Sequence, residues 1–342
     1  MEKENMRVVS IPLVIAFLLF SFCLISPSQA QQKVVGVANQ WLGNDWNFFA
    51  NEAIVKYLES KGIKAEVTNA QGRTGQQKSD VENFIAKKVN GIIIKGGEGG
   101  AFLDVSMKAF QANIPVVGVM MFLPGAVATT DSNVWEGNVD MGIWLVNQMH
   151  GEGKYIILDA AGWHSLVVRR EAVELVLKWY PAIKRVANVY EVDTADPVNN
   201  SVSIVKSTLR ANPDLKAVVC TWGLPAVGAM KAITEMQKQK QVSVVCTDAD
   251  RPVLAEMAKP GAPRAACLGL DPKLNGEYAA ELIVDALKYK TVAEAKANMN
   301  TLYVVPTDLM SNTDPKKEFR LKRVFTLNEA WQYYHSAHKR PW

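Results

Sequence analysis

Residues 34–54 read VVGVANQWLGNDWNFFANEAI, and this stretch decides how the rest of the chain is parsed. It opens with a short, continuously apolar run and passes through a polar and aromatic turn containing Trp41 and Trp46. It then enters a helical pattern with apolar residues at Ala50, Ala53, Ile54, Tyr57 and Leu58. An apolar run of this length bounded by turn residues suits a strand covered on both faces, as in a parallel sheet. The same order of strand, loop and helix then recurs. Further strands are expected at 65–69, 91–95, 114–120, 155–160, 186–192, 217–221, 242–247 and 265–270. Between them lie helical stripes such as Val81, Phe84, Ile85 and Val89, and later Ala279, Leu282, Ile283, Ala286 and Leu287. Alternation of this kind means βαβ units and parallel sheets.

About four such units precede Asn133 and about four follow it, so two similar α/β lobes, each Rossmann-like, are the economical arrangement. Ligands of open parallel sheets bind beyond the carboxyl ends of the strands. The loop 39–47 is therefore the first candidate binding surface, and a cleft between the lobes the expected site. Closure of the lobes about the connecting segments is the expected motion.

The bulk composition agrees. The chain has 342 residues, 49% hydrophobic and 21% charged, which suits a globular protein of about two domains and argues against disorder. The net charge of +4 is mild, and the densest basic cluster, Lys316, Lys317, Arg320, Lys322 and Arg323, reads as a solvated face and not as a nucleic-acid patch. Lys3 and Arg7 precede an apolar run at 11–25, and Ser28-Gln29-Ala30 offers a small-x-small cleavage site. Residues 1–30 therefore read as a secretory signal, and the mature chain is expected to be exported. Cys23 follows Phe22, which does not suit lipid attachment. Cys220, Cys246 and Cys267 each sit in an apolar, strand-like run and read as core residues, with one disulfide among them as the alternative.

Motifs for cofactor and catalytic chemistry are weak. The turn after the first strand reads Val37-Ala38-Asn39-Gln40-Trp41 where a dinucleotide fold needs glycines. The glycine-rich run 96–100 lacks the G-K-[ST] ending of a phosphate loop, and Glu98 would repel an anion. Gly162-Trp163-His164-Ser165 is not a nucleophile elbow, and His150, His164, His335 and His338 are too scattered for a metal site or a triad. An enzyme is not expected, nor are cofactors or metals. The expected strand ends instead collect Trp41 and Trp46, Glu98, Met120 to Phe122, Trp163 and His164, Asp193, Trp222, and Asp248 with Asp250. Several indoles with a few polar groups suit a largely apolar pocket, although each Trp alone could equally be core.

Taken in order, several strings resemble the type I periplasmic sugar-binding proteins, the ribose-binding-like branch of ABC importer solute-binding proteins. They are Asp45-Trp46-Asn47-Phe48-Phe49, Asn113-Ile114-Pro115-Val116-Val117, the run 169–173, Asn212-Pro213-Asp214-Leu215-Lys216-Ala217-Val218, and Leu270-Asp271-Pro272. The resemblance covers roughly residues 34–305. It implies a first lobe of 31–132 plus about 271–298, a second of 133–270 plus about 299–320, and a tail at 321–342. It also implies Phe48 and Phe49 as a stacking pair, Trp46 beside them, and Asp248 as a ligand contact. Three departures stand out: Met120-Met121 replaces the usual Asp-Arg pair, and Trp222-Gly223 replaces Asn-Asp. The ligand-binding Arg of the fifth helix falls near Val167, with Arg169 matching the structural Arg of that motif or, by a shift of two, the binding one.

Each buried hydroxyl left without a partner costs on the order of 1–3 kcal/mol, so these losses point toward a ligand less polar than ribose. Aromatic, alicyclic or cationic solutes stand beside a stacked sugar as alternatives. The candidate site is Trp41, Trp46, Phe48, Phe49, Glu98, Met120, Met121, Trp163, Arg169, Trp222 and Asp248. The resemblance implies a monomer whose partner is an inner-membrane ABC permease or, alternatively, a membrane sensor. Trp331, Tyr333 and Tyr334 in the tail read as packing residues.

Overall fold

A computed structural model describes residues 32–313 and 324–325. The expected secretory signal and the aromatic residues of the tail lie outside the described residues. The first half runs Val34–Asn39 (β1), Asp45–Ser60 (α1), Lys64–Asn69 (β2), Thr74–Ala86 (α2), Gly91–Lys95 (β3), Leu103–Gln111 (α3), Val116–Val119 (β4), Ala128–Ser132 (β5) and Val134–Met149 (α4). Gly153–Asp159 (β6), His164–Leu177 (α5), Ile183–Arg185 (β7), Tyr190–Glu191 (β8), Pro197–Ala211 (α6), Leu215–Cys220 (β9) and Gly223–Glu235 (α7) follow. The remainder is Ser243–Thr247 (β10), Arg251–Met257 (α8), Ala265–Gly269 (β11), Pro272–Ala286 (α9), Val292–Asn298 (α10), Leu302–Val305 (β12), Asp308–Ser311 (β13) and Val324–Phe325 (β14).

These strands form two sheets. The first has the order β12-β5-β4-β3-β1-β2 and is parallel throughout. The second has the order β14-β13-β11-β10-β9-β6-β7, with β8 beside β6, and is parallel except where β13 meets β11. The expected α/β architecture of two parallel-sheet lobes is what the chain adopts. In each sheet the order reverses, at β1/β3 and at β6/β9, and such reversals are where ligands of open sheets bind.

Local chemistry explains the helix starts. Asn44, Asp196, Asp271 and Thr291 each cap a helix by accepting a backbone N–H three residues on. Pro197 and Pro272 stand at the first helical position, where a missing N–H costs nothing. The strands are buried on both faces: every residue of β3, β4, β10 and β11 is buried. Cys220, Cys246 and Cys267 are free thiols standing in register across β9, β10 and β11, inside the second sheet's core. Burial pushes the Cys220 and Cys267 thiols up, which keeps them unreactive.

Four differences from the sequence reading have physical causes. The strands expected from the sequence do not include β5, which pairs in parallel with β4 across a short connection that holds no helix, so periodicity carried no sign of it. The strand expected at 186–192 holds only the short β8, with the short β7 just before it at 183–185, both at the edge of the second sheet beside β6. A short helix, α10, and the strands β12 to β14 follow the last long helix. The segment expected in the second lobe from about residue 299 first adds β12 to the edge of the first sheet, through pairs such as Tyr303↔Thr130. The chain then passes to the second sheet at β13. The passages between sheets therefore lie between β5 and α4, between β11 and α9, and between β12 and β13. There the Asn133 N–H donates to the Val305 carbonyl and the Thr307 hydroxyl to the Asn133 carbonyl.

Candidate functional site

The two sheets turn their carboxyl ends toward one cavity, lined by Trp41, Trp46, Trp163 and Trp222 together with polar side chains from both lobes. It holds about 510 Å3 of space, part of it continuous with solvent.

Each indole is held by a local device. Trp41, in the loop after β1, folds back over Gly43; a Cβ at 43 would stand 2.1 Å from its Cζ2, so only glycine fits there. Trp46, the second residue of α1, is buried above Lys95, whose Nζ lies 5.4 Å from the ring centroid. Trp163, just before α5, reaches across to the first lobe and rests against Gly96, where a Cβ would come within 3.3 Å of its Cζ3. Gly96 also has φ +68°, a backbone conformation that favours glycine. Trp222 follows β9 and is buried at the start of α7.

Two polar clusters support these rings. On the first lobe the Asn44 Oδ1 accepts from the Asn47 backbone N–H at 3.0 Å and from its Nδ2 at 2.7 Å. The Lys95 Nζ donates to the Asn47 Oδ1 at 2.6 Å. Complete burial pushes the Lys95 amine down to about 7. On the second lobe the Arg169 Nη1 donates to the Thr221 carbonyl at 2.9 Å and to the Asp248 Oδ2 at 3.1 Å. Burial, then Asp248, then Asp45 push the Asp250 carboxyl well above the usual range. Met120 and Asp248, each directly after a strand, carry φ values of +57° and +72°. Left-handed non-glycine residues cost on the order of 1–3 kcal/mol and concentrate at functional sites.

The lobes meet over the cavity. The Trp46 backbone N–H donates to the Asp250 Oδ1 at 3.1 Å, and the His164 backbone N–H to the Gly97 carbonyl at 3.2 Å. Arg251 grips Asp45 through Nε and Nη2, both at 2.7 Å. These bonds join residues of one lobe to residues of the other, so the molecule is in a closed form.

Of the residues expected from sequence, Trp41, Trp46, Met120, Trp163, Arg169 and Trp222 line the cavity. Five do not. Phe48 is 52% exposed on the outer face of α1, because the helix presents Trp46 and Asn47 inward and turns the next position away. Phe49 packs edge-on against Phe48 at 5.4 Å and lies under the Arg251 guanidinium, outside the cavity. Glu98 is exposed. Met121 is fully buried in the first lobe's core, since consecutive residues after β4 point in different directions. Asp248 stands behind Arg169 as its counterion and is not on the cavity wall.

Sequence reasoning did not single out Asn44, Asn47, Lys95, Ser165 or Thr194. The first two were legible as a cap and its third residue, and Lys95 as a charge closing an apolar strand. Ser165 reaches the cavity from the first turn of α5, and Thr194 from the loop after β8. Among the described residues no group of His, Cys, Asp or Glu is arranged to hold a metal ion.

The family model described as periplasmic binding protein domain matches residues 35–291. The chain is 23% identical over 304 residues to the ribose import binding protein RbsB of Bacillus subtilis (strain 168), covering 84% of this chain and 95% of that one. A solute-binding protein of an ABC transporter from Agrobacterium vitis, solved with bound allitol, superposes with a TM-score of 0.75 at 21% identity, over 81% of this chain and 94% of that one. Another from Bacillus halodurans C-125, with bound myo-inositol, gives 0.72 at 20% identity, over 83% and 95%.

Proposed function

The chain belongs to the periplasmic binding protein family, in its ribose-binding-like branch, and from that premise we propose that it is the solute-binding component of an ABC-type importer. In this reading, residues up to Ala30 direct export, the two lobes close on one small molecule, and the closed form is offered to a permease in the inner membrane. The observation that carries the proposal is the cross-lobe contact set, from Trp46 to Asp250 and from Asp45 to Arg251, which closes the protein over an indole-lined cavity. A closed form of this kind holds a ligand away from water without doing chemistry on it. Accordingly, turnover of the bound solute is not expected.

The lining favours a neutral solute over the cationic alternative. Among the described residues Arg169 is the charged side chain on the wall, its charge is matched by Asp248 behind it, and no carboxylate lines the cavity. The indole faces by themselves would suit a quaternary ammonium ion, but the Arg169 guanidinium on the same wall disfavours a cation. The relatives named for ribose, allitol and myo-inositol set the expected size, a molecule of one ring or its open-chain equivalent.

Native mass spectrometry of the mature protein, purified without denaturation, tests the proposal. A single co-purified small molecule, lost on unfolding, is the expected result, because a tight ligand stabilises only the folded form. A protein that arrives empty and whose melting no small solute alters would overturn it. A sensor presenting the same closed form to a membrane receptor would share this ligand chemistry, and capture of the partner from membranes separates the two roles.

A further inference from the structure

Closing the lobes sets one carboxyl group where a negative charge is poorly supported. Asp250 stands on the second lobe after β10, is 4% exposed, and meets the start of α1 on the first lobe, where its Oδ1 accepts the Trp46 backbone N–H. The Asn44 side chain gives it a smaller support. Its Oδ2 is buried without a hydrogen-bond partner in the protein. A buried carboxylate oxygen in that state is costly, and a proton on the group removes the charge that makes it so.

The surroundings of Asp250 add to this cost. Asp248, two residues earlier, and Asp45, the first residue of α1, both face it with charge of its own sign. The nearby cations serve other partners: Arg169 pairs with Asp248, Arg251 with Asp45, and Lys95 donates to Asn47 behind the Trp46 ring. From β11 comes the Cys267 thiol, which burial keeps protonated. The first residue of α7 is Gly223, where a Cβ would stand 3.4 Å from the Asp250 Oδ2, and Leu270 and Pro272 line the same corner without charge. Asn44, Asp45 and Trp46 all belong to the first lobe, so opening withdraws them and admits water to the carboxyl.

We propose that closing of the lobes takes up a proton at Asp250, so that the protein holds its solute more firmly in acid than at neutral or alkaline pH. The inference rests on the solute-binding reading above and adds a regulation to it. In the open form the carboxyl meets water and has an ordinary proton affinity; in the closed form its proton affinity is higher. Below the ordinary carboxylate range both forms carry the proton, and closure is unopposed. As the pH rises beyond that range the closed form binds a proton that the open form does not, and closure weakens by up to about tenfold for each pH unit. The weakening ends where the closed form ionises as well.

The test uses the mature protein in two states, as purified with its co-purified solute, and after that solute has been removed by unfolding and refolding. The first is dialysed at pH 5, 6.5 and 8 at one ionic strength, and the solute retained is counted by native mass spectrometry. The second is followed at the same pH values by small-angle X-ray scattering. Solute loss is expected to be at least about tenfold faster at pH 8 than at pH 5, and the stripped protein to be more compact at pH 5. Asp250→Asn keeps an acceptor for the Trp46 N–H and carries no charge, so it is expected to lose solute at one rate across the range. His164→Gln removes the imidazole that faces Asp131 across the lobes, and is expected to keep the parent's pH dependence. Retention in the parent that does not vary with pH overturns the inference and leaves the solute-binding reading standing. So does a pH dependence that survives intact in Asp250→Asn or disappears in His164→Gln. A protein that carries no solute yet compacts in acid through Asp250 upholds proton-linked closure and counts against the solute-binding reading. One that carries none and keeps the same radius at every pH overturns both.

Discussion

Two buried cations stand at the cavity, Arg169 on its wall in the second lobe and Lys95 beneath the wall residues Trp46 and Asn47 in the first, and the protein accommodates them in opposite ways. Arg169 is paired with the Asp248 carboxylate and with the Thr221 carbonyl. Lys95 donates to the neutral amide of Asn47 and lies near the face of Trp46, and burial alone moves its amine from 10.5 to about 7. The difference follows from the two side chains. A guanidinium keeps its charge in any protein, so burying it requires a counterion; an amine can release its proton instead. The second wall thus carries a compensated ion pair, and the first rests on a group able to become neutral.

This contrast can be broken most forcefully at Asp248. Asp248→Ala leaves the Arg169 guanidinium buried without its counterion, and a loss of about 3–5 kcal/mol in folding stability is expected from urea denaturation. A double variant, Arg169→Met with Asp248→Ala, is expected to recover much of that loss. Full stability in Asp248→Ala alone would mean that Arg169 does not depend on its partner.

Lys95 is the next test, through pH. Its folded proton affinity lies below its unfolded one, so between about pH 7 and 10.5 the unfolded chain binds more protons. Stability therefore rises with pH across that window, and below it the full cost of burying the charge is present. Lys95→Met has no charge to bury. The variant is expected to be more stable than the parent at pH 6, by roughly 2–4 kcal/mol, with the advantage shrinking steadily toward pH 10. A difference that does not change with pH would show that Lys95 titrates normally, and would erase the contrast with Arg169.

The smallest effect is expected at the rim. Arg251 is 54% exposed where it grips Asp45 across the lobes, so the pair acts in high dielectric. Arg251→Ala is expected to speed release of bound solute by about two- to fivefold in stopped-flow fluorescence, with folding stability nearly unchanged. A much larger change would move the control of closure from the cavity wall to the rim.

How much of this was legible in the sequence differs by feature. The apolar runs at 34–38, 91–94 and 217–220 could be read as doubly covered strands, because a strand buried on both faces leaves a continuous signature. Trp163 and Trp222 could be placed at strand ends for the same reason. The strand β5 could not be seen, since no helix sets it apart from β4. Nor could the fate of neighbouring positions be judged. Met120 lines the cavity and Met121 fills the core, and Trp46 points inward where Phe48 points to solvent, because one residue along a backbone reverses or rotates the side chain.

The sequence by itself determined the alternation of strand and helix, the two-lobed α/β class, and the concentration of indoles at the ends of the strands. Each of these is written in local order, as runs of apolar residues and the turn chemistry between them. The tertiary structure alone decided that Asp248 serves Arg169 and is not on the cavity wall, that Lys95 and Asn47 form the floor under Trp46, and that Asp45 and Asp250 close the lobes. These pairs are separated by dozens to hundreds of positions in the chain. Their meaning comes from burial, which turns an ordinary Asn, Lys or Asp into a group whose partner and charge state decide what the cavity can hold.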